Sequence, residues 1–402
     1  MGSSTEKQLI CFQNHFVRCG GPSVSTRKDH SYSLFDAYGG QTIWFPVIAL
    51  LSFGLLFVYS ASSVYAGQKY GDEFLFARKQ LIYFIPGAFA AFLGARLPLQ
   101  KLKEYATPIF LGSIALTGLT LVPGIGKRIL GAARWISVAG TQIQPSEFLK
   151  IAAVIFLAAV LSEGKALLKK ALLVLLAFAV LLRQPDFGSS VILMVGILAL
   201  LFFWGIPKRF FFGGIVLLIP VIAVLAVAAP YRLRRLVAFL DPFADPLGSG
   251  FQVIQSFVAI ASGGLFGKGL GGSQQKLFFL PEAHTDFILA VIGEEMGFVG
   301  LAIIVLIYAM LFYSVLQILL AVTCNFSRML TAGLLAMIAA STLVNMGVCA
   351  GLLPTKGLTL PFISSGGSSL VANLFAMGLL AQIHASAYIR QHGGLKHDVQ
   401  GD

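Results

Sequence analysis

The stretch FLPEAHTDFILAVIGEE (279–295) places one His, one Asp and three Glu around the apolar run FILAVI, directly before a longer apolar run. Ionisable groups near a bilayer are costly, so they tend to mark function. A helix running unbroken from Phe287 to Val322 would extend about 54 Å, far beyond a hydrocarbon core of about 30 Å. We therefore predict that HTDFILAVI forms a separate short helix at the outer interface. Glu294 and Glu295 would then open the spanning helix, where carboxylates are favourable.

The composition of the whole chain supports a membrane location for this stretch. The 402 residues are 57% hydrophobic and only 11% charged, with a mean hydropathy of +0.84. A soluble domain usually carries about 25% charged residues. Apolar runs of about 20 residues recur, and within lipid only helices satisfy such a backbone. The 29 Lys and Arg against 17 Asp and Glu indicate anionic lipid and an anionic substrate rather than nucleic acid.

The pattern predicts an all-α integral membrane protein with about ten transmembrane helices. The predicted spans are 42–66, 80–98, 107–124, 146–163, 170–183, 187–205, 210–229, 296–322, 328–353 and 367–388. An even number places both termini on one side of the membrane. Three short loops that are dense in Lys and Arg make that side cytoplasmic, and they are 96–103, 165–170 and 208–209.

These spans divide the chain into three regions. Residues 1–40 form a polar, flexible cytoplasmic tail, 41–390 form the membrane domain, and 391–402 form a short cytoplasmic tail. Within the membrane domain, residues 230–295 form one large extracytoplasmic loop between helices 7 and 8. The basic residues that remain on the outer side would be explained by a polyanionic substrate there.

Two motifs in the large loop resemble ligand sites. SGGLFGKGLGGS (262–273) contains G-x-G-x-x-G, but no βαβ unit surrounds it, so we interpret it as flexible backbone with Lys268 as a phosphate contact. In DPFADPLGSGFQ (241–252), Asx-turns at Asp241 and Asp245 are the main interpretation, and a divalent-ion site is the alternative. We assign no metal ligands, and a divalent cation, Mg²⁺ or Mn²⁺, stays open as a cofactor.

Charged residues also flank the fourth and sixth spans. In QIQPSEFLK (142–150), Glu147 and Lys150 are three residues apart and can pair. They form either a structural ion pair or part of a polar cavity with Arg134 and Trp135, although Trp135 alone also fits an interfacial aromatic belt. In RQPDFGS (183–189), we expect the two charged residues, Arg183 and Asp186, to pair across a proline turn.

The most specific stretch is NMGVCAGLLPTKGLTLPFISSGGSS (345–369). Pro354 and Pro361 break the helix, Gly366 and Gly367 permit unusual backbone, and four serines supply hydroxyl groups. Broken polar backbone at membrane depth is tolerated only beside protein or a wet cavity. This segment therefore predicts a functional cavity.

The segment resembles the signature of the SEDS family, the FtsW, RodA and SpoVE proteins of bacterial wall synthesis. Further landmarks occur in the family's order from about 42 to 390: VYSASS, RWI, QPSEFLK, QPDFG, DPFADPLGSGFQ, SGGLFGKGLG and LPEAHTDFILAVIGEE. PTKGLTLP (354–361) resembles the cell-division branch rather than the elongation branch. One departure is Ser365, where most members have Tyr.

The resemblance implies a membrane glycosyltransferase that polymerises lipid II at the outer face of the bacterial cytoplasmic membrane, at the division septum. It also implies partners: a class B penicillin-binding transpeptidase, other division membrane proteins and membrane lipids. Asp286 matches the family's essential acid and would be the general base. The expected substrate-binding residues are Arg134, Lys150 and Lys268 as pyrophosphate contacts, Trp135 as a substrate wall, and Glu147, His284, Thr285, Lys356 and Ser364.

Two questions stay open from the sequence. The apolar neighbours Phe287 and Ile288 would raise the pKa of Asp286 by desolvation, whereas a protonated His284 or a helix N-terminus would lower it. A lipid II flippase and a scaffold for the division machinery are the alternative functions. A transporter would place charges near the membrane midplane. The polar residues here cluster toward the outer side, which favours surface chemistry.

Overall fold

The computed structural model describes residues 42–129, 132–138, 141–164, 167–227 and 230–393. The predicted tails at 1–40 and 391–402 lie outside the described residues, apart from 391–393. The α-helices are α1 (Trp44–Tyr70), α2 (Leu75–Arg96), α3 (Leu99–Glu104), α4 (Ala106–Leu119), α5 (Pro145–Glu163), α6 (Leu167–Arg183), α7 (Phe187–Trp204), α8 (Lys208–Val227), α9 (Pro230–Leu240), α10 (Phe251–Gly263), α11 (Ile288–Ala321), α12 (Asn325–Cys349) and α13 (Gly367–Gly393).

The helical membrane fold predicted from composition is confirmed. Helices α1, α2, α4, α5, α6, α7, α8, α11, α12 and α13 overlie the ten predicted spans in order. Among the described residues, six helices are long and apolar enough to cross a membrane: α1, α5, α7, α11, α12 and α13. The number of ten spans and the extracytoplasmic position of 230–295 stay predictions.

A small antiparallel sheet was not predicted. Its strands are β1 (Gly126–Ile129), β2 (Ala132–Val138) and β3 (Thr141–Ile143), in the order β1-β2-β3. Pairing between the strands gives hydrogen-bond partners to the backbone of the segment that connects α4 to α5. Directly after β3, Gln144 N donates to Ser368 Oγ (2.9 Å), which ties the sheet to the beginning of α13. The sheet therefore holds Arg134 and Trp135 next to the beginnings of α5 and α13.

Helix α5 lies at the centre of the bundle. It packs against α4, α6, α7, α12 and α13, and most of its residues are buried. Pro145 occupies the first turn, where its missing N–H costs nothing. Gly164 ends the helix in the left-handed conformation, with φ of 68°. This central position places the polar residues of the first turn of α5 inside the protein.

The spanning part of α11 is separated from a short first part by a break at Gly297 (φ 66°, ψ −162°). The Gly-rich segment 264–269 provides hydrogen-bond partners for the groups that the break frees. Lys268 N donates to Glu294 O (3.0 Å), Gly269 N to Glu295 O (3.0 Å), Phe298 N to Gly264 O (2.9 Å) and Val299 N to Leu265 O (3.1 Å). The predicted separate short helix is thus confirmed, although it begins at Ile288.

The predicted position of Glu294 and Glu295 is wrong, because both end the short helix rather than open the span. Each buried carboxylate has a lysine partner. Glu294 pairs with Lys268 (2.8 Å) and Glu295 with Lys276 (3.1 Å). Ser60 of α1 also donates to Glu295 (2.7 Å). These bonds join the large loop to α1 and compensate the cost of burying the charges.

We expect Gly267→Ala to lower the thermal stability of the detergent-solubilised protein more than Gly271→Ala. Both glycines have φ of 78°, so both substitutions introduce left-handed strain of about 1–2 kcal/mol. A Cβ on Gly267 would also overlap Glu295 O, whereas one on Gly271 would lie 4.0 Å from Lys276 Nζ. Equal losses in Tm would show that close packing of the Gly-rich segment on the break is not required.

Candidate active site

The backbone around Asp286 is held by α12 and by the broken segment between α12 and α13 (350–366). The broken segment donates two hydrogen bonds, from Ser365 N to His284 O (3.0 Å) and from Ser364 Oγ to Thr285 O (2.6 Å), and Asn345 Nδ2 of α12 donates to Asp286 O (2.9 Å). The same Asn345 amide donates to Leu358 O (2.7 Å). The broken segment is therefore satisfied by protein contacts, as predicted for broken backbone at membrane depth.

The Asp286 side chain is partly buried and lies beside Gly357. A Cβ on Gly357 would lie 3.4 Å from Asp286 Oδ2, and Gly357 itself is exposed. A larger residue at 357 would therefore stand directly in front of the carboxylate. The absence of a side chain at this position leaves space next to the carboxylate oxygen.

The sequence left open whether the pKa of Asp286 is raised or lowered, and the electrostatic surroundings in the structure decide this. Burial, with a contribution from the Glu282 carboxylate, raises the pKa of Asp286 to about 7, against the opposing charges of Arg235 and Arg134. Burial also lowers the pKa of His284. His284 is therefore neutral at pH 7 and does not hold Asp286 in its charged form.

Three cationic side chains lie near the Asp286 carboxylate or in the broken segment itself. Arg134 of β2 bonds Gln184 O (3.4 Å) and Pro185 O and pairs with Asp186 (3.9 Å). Arg235 of α9 donates to Thr355 O (3.2 Å). The Lys356 ammonium lies 4.8 Å from the ring centre of Phe187. Together they provide positive charge that an anionic ligand near Asp286 would need.

One predicted ion pair is wrong. Asp186 pairs with Arg134 rather than with Arg183, whose side chain is exposed. Asp186 also accepts a hydrogen bond from Ser189 N (3.2 Å) and so caps the beginning of α7. The reason is that Asp186 is buried against the sheet, where Arg134 reaches it.

Glu147 and Lys150 form the predicted pair at 2.9 Å, and both are buried. They also line a cavity of about 30 Å³, whose lining includes neither Arg134 nor Trp135. The ion-pair interpretation is therefore confirmed, and a polar cavity shared with Arg134 and Trp135 stays a prediction. Leu358 and Thr359 of the broken segment line the same cavity. Gly357, next to them in the chain, lies beside Asp286, so the broken segment borders both this cavity and the carboxylate.

The other predicted site residues have defined positions, while their roles in binding stay predictions. Thr285 Oγ1 donates to Glu282 Oε2 (2.7 Å), and Ser364 Oγ accepts from Leu360 N (2.9 Å). Trp135 is partly buried on β2, opposite Lys127 on β1. Lys268 is engaged by Glu294 at the helix break, so the structure does not bring it together with Asp286.

Sequence reasoning missed Arg235 and Asn345 as site residues. Arg235 belongs to the basic run RLRR (232–235) of the large loop. The sequence explained the basic residues of the outer side by a polyanionic substrate but gave Arg235 no role of its own. Asn345 opens the most specific motif, but its two carbonyl partners are far apart in sequence. A polar residue inside an apolar helix is the signal that could have identified Asn345.

The residues proposed for a divalent ion do not form a cage. Asp241 Oδ1 accepts from Phe243 N (3.1 Å) and Asp245 Oδ2 from Ser249 N (2.8 Å), which confirms the Asx-turn interpretation. In the part of the chain that the structure describes, no three His, Cys, Asp or Glu side chains gather as a metal site. These residues therefore do not fit a resident metal ion.

Comparison with known proteins agrees with this geometry. A family model described as "Cell cycle protein", which covers FtsW, RodA and SpoVE, matches residues 41–389. A probable peptidoglycan glycosyltransferase FtsW of Geobacter metallireducens is 44% identical over 344 residues, which are 84% of this chain and 92% of the relative.

Solved structures share the fold. The chain resembles one in a peptidoglycan synthase complex that coordinates polymerization and crosslinking, with a TM-score of 0.71 and 32% identity over 86% of this chain and 97% of that one. It also resembles the rod shape determining protein RodA of Thermus thermophilus, with a TM-score of 0.64 and 28% identity over 89% and 98% of the two chains. The chain therefore belongs to the FtsW/RodA/SpoVE family of membrane proteins.

Proposed function

We propose that this protein is a peptidoglycan glycosyltransferase that polymerises lipid II at the outer face of the cytoplasmic membrane, with Asp286 as general base. The observation that carries the proposal is one partly buried carboxylate, with a pKa of about 7, beside a residue without a side chain. Arg134 and Arg235 are close enough to act on this carboxylate, and Lys356 belongs to the broken segment beside it. Relatives from the same family are named as probable peptidoglycan glycosyltransferases.

The reaction needs one base and stabilisation of a leaving phosphate. The 4-hydroxyl oxygen of the acceptor sugar attacks C1 of the donor sugar while its proton passes to the Asp286 carboxylate. The bond from C1 to the pyrophosphate oxygen breaks, and undecaprenyl pyrophosphate leaves with the electron pair. A base whose pKa lies near the working pH is partly ionised and still accepts a proton well. Positive side chains stabilise the charge that develops on the pyrophosphate.

We favour Arg134, Arg235 and Lys356 as the pyrophosphate contacts. Lys150 and Lys268 are held in close pairs with Glu147 (2.9 Å) and Glu294 (2.8 Å), and breaking these pairs costs part of the binding energy. Arg134 has a longer contact with its carboxylate partner Asp186 (3.9 Å). Trp135 is adjacent to Arg134 on β2 and would form a wall for the substrate. A divalent cation, if the reaction uses one, would enter with the pyrophosphate, since Mg²⁺ is often held by substrate phosphates.

The cellular setting follows the same proposal. We place both termini in the cytoplasm and the enzyme at the division septum, in company with a class B penicillin-binding transpeptidase and other division membrane proteins. The similarity to FtsW proteins supports the division setting. The similarity to a complex of polymerization and crosslinking supports a transpeptidase partner.

Asp286→Asn should reduce glycan polymerisation by about 10²–10⁴-fold, because the amide cannot accept the proton. The assay uses the full chain in nanodiscs with labelled lipid II and a class B transpeptidase. Asp245→Asn is the matched control, since Asp245 is an exposed turn residue of the same loop. Wild-type rates in a folded Asp286→Asn protein would remove Asp286 as the base.

The polymerisation rate should fall as the pH drops below about 7, because Asp286 must be ionised to act as base. The Glu282 charge raises the pKa of Asp286, so Glu282→Gln should move this acidic limb to lower pH. Glu163→Gln removes a carboxylate that pairs with Lys103 (3.6 Å) on another part of the bundle and should leave the limb in place. An identical limb in the wild type and Glu282→Gln would contradict this assignment.

The flippase alternative has its own outcome. Vesicles that contain the protein and fluorescent lipid II should form polymer in the presence of the transpeptidase. Movement of lipid II between leaflets without polymer, under every partner condition tried, would favour the flippase over the enzyme.

A further inference from the structure

Aromatic rings at the ends of α1 and α2 meet the segment that carries Asp286. The ring centres of Phe76 and His284 are 4.4 Å apart, and those of Tyr65 and His284 are 6.1 Å apart. Further ring pairs connect Tyr65 with Phe278 (5.8 Å) and Tyr70 with Phe76 (6.3 Å). We call these five residues the aromatic platform. Its member His284 is two positions from the proposed base.

Two members of the platform are exposed and three are partly buried. Tyr70 is 54% exposed and Phe278 is 49% exposed, whereas Tyr65, Phe76 and His284 are partly buried. Phe278 also has a positive φ of 68°, a conformation that bulky residues rarely adopt. Strained backbone of this kind is concentrated at functional sites. Core packing therefore does not account for the positions of Tyr70 and Phe278.

Lysines accompany the rings. Lys69 Nζ lies 5.0 Å from the ring centre of Tyr65 and 5.6 Å from that of Tyr70. Lys79 Nζ lies 5.6 Å from the ring centre of Phe76. Cation–π contact keeps these charges at the edge of the aromatic surface. The combination offers ring faces for apolar groups and ammonium groups for anions.

This chemistry matches a peptidoglycan strand. Sugar rings have apolar faces that stack on aromatic side chains, and the stem peptides along the strand carry carboxylates. We propose that the aromatic platform binds the nascent glycan strand next to Asp286, which keeps the strand on the enzyme between successive additions. The inference rests on the proposed function, because it adds a product-binding surface to that same site.

A strand-binding surface has a specific kinetic consequence. A strand that stays bound is extended again before it dissociates, so loss of the platform shortens the product. The first coupling of two lipid II molecules needs only the residues around Asp286, so its rate does not change when the platform is lost. The platform thus affects strand length separately from the rate of initiation.

The test compares Tyr70→Ala and Phe76→Leu with Tyr105→Ala in the full chain in nanodiscs. Tyr105 is a matched control because it is 60% exposed and lies outside the platform, at the beginning of α4.

One measurement is the length distribution of labelled glycan at equal initiation rates. The other is binding of glycan strands of about eight sugars that lack undecaprenyl. Loss of one ring contact should weaken this binding about tenfold and shorten the strands, whereas Tyr105→Ala should behave as wild type.

The proposal is overturned if both platform variants keep wild-type strand length and glycan binding. If Phe76→Leu does not fold, Tyr70→Ala decides alone, because Tyr70 is half exposed. Variants that lose transpeptidase binding but keep glycan binding would assign the platform to a protein partner and also overturn the proposal. A wild type that binds free glycan but makes no polymer supports the platform and refutes the proposed enzyme. A wild type that makes polymer without binding free glycan supports the proposed enzyme and refutes the platform.

Discussion

Every backbone N–H and C=O at membrane depth must find a partner within the protein, and this constraint shapes the site. Two segments break the helical pattern, at Gly297 and between α12 and α13. At the first break, the Gly-rich segment 264–269 supplies and receives the hydrogen bonds that the helix lacks. At the second, Asn345 and Ser364 bond the backbone of 285 and 286. These hydrogen bonds thus hold the segment that carries Asp286 in place.

The same arrangement produces the electrostatics of Asp286. Burial of the carboxyl group raises its pKa. The cations that lower the pKa of Asp286 are Arg134 of β2 and Arg235 of α9, and both elements lie outside the broken segments. Arg134 and Arg235 are in turn fixed by carbonyl groups, Pro185 O and Thr355 O. Side-chain hydrogen bonds to backbone carbonyl groups therefore position both the segment of the proposed base and two of the proposed pyrophosphate contacts.

Much of this architecture could be predicted from local sequence. The apolar runs determined the helices, the length of the run after Phe287 required a break, and the spacing of Glu147 and Lys150 required a pair. The failures concern partners that are distant in sequence. Glu294 was placed at a helix start because Lys268 was not known to lie against it. The sheet was missed because its strands are short and lie between two spans.

The account depends most on the claim that burial raises the pKa of the Asp286 carboxyl group. Infrared titration of the protein in nanodiscs measures this directly. The C=O band of the protonated carboxyl group is assigned by its loss in Asp286→Asn. The account predicts a midpoint at about pH 7. A midpoint near 3.9, the ordinary value for aspartate, would contradict it.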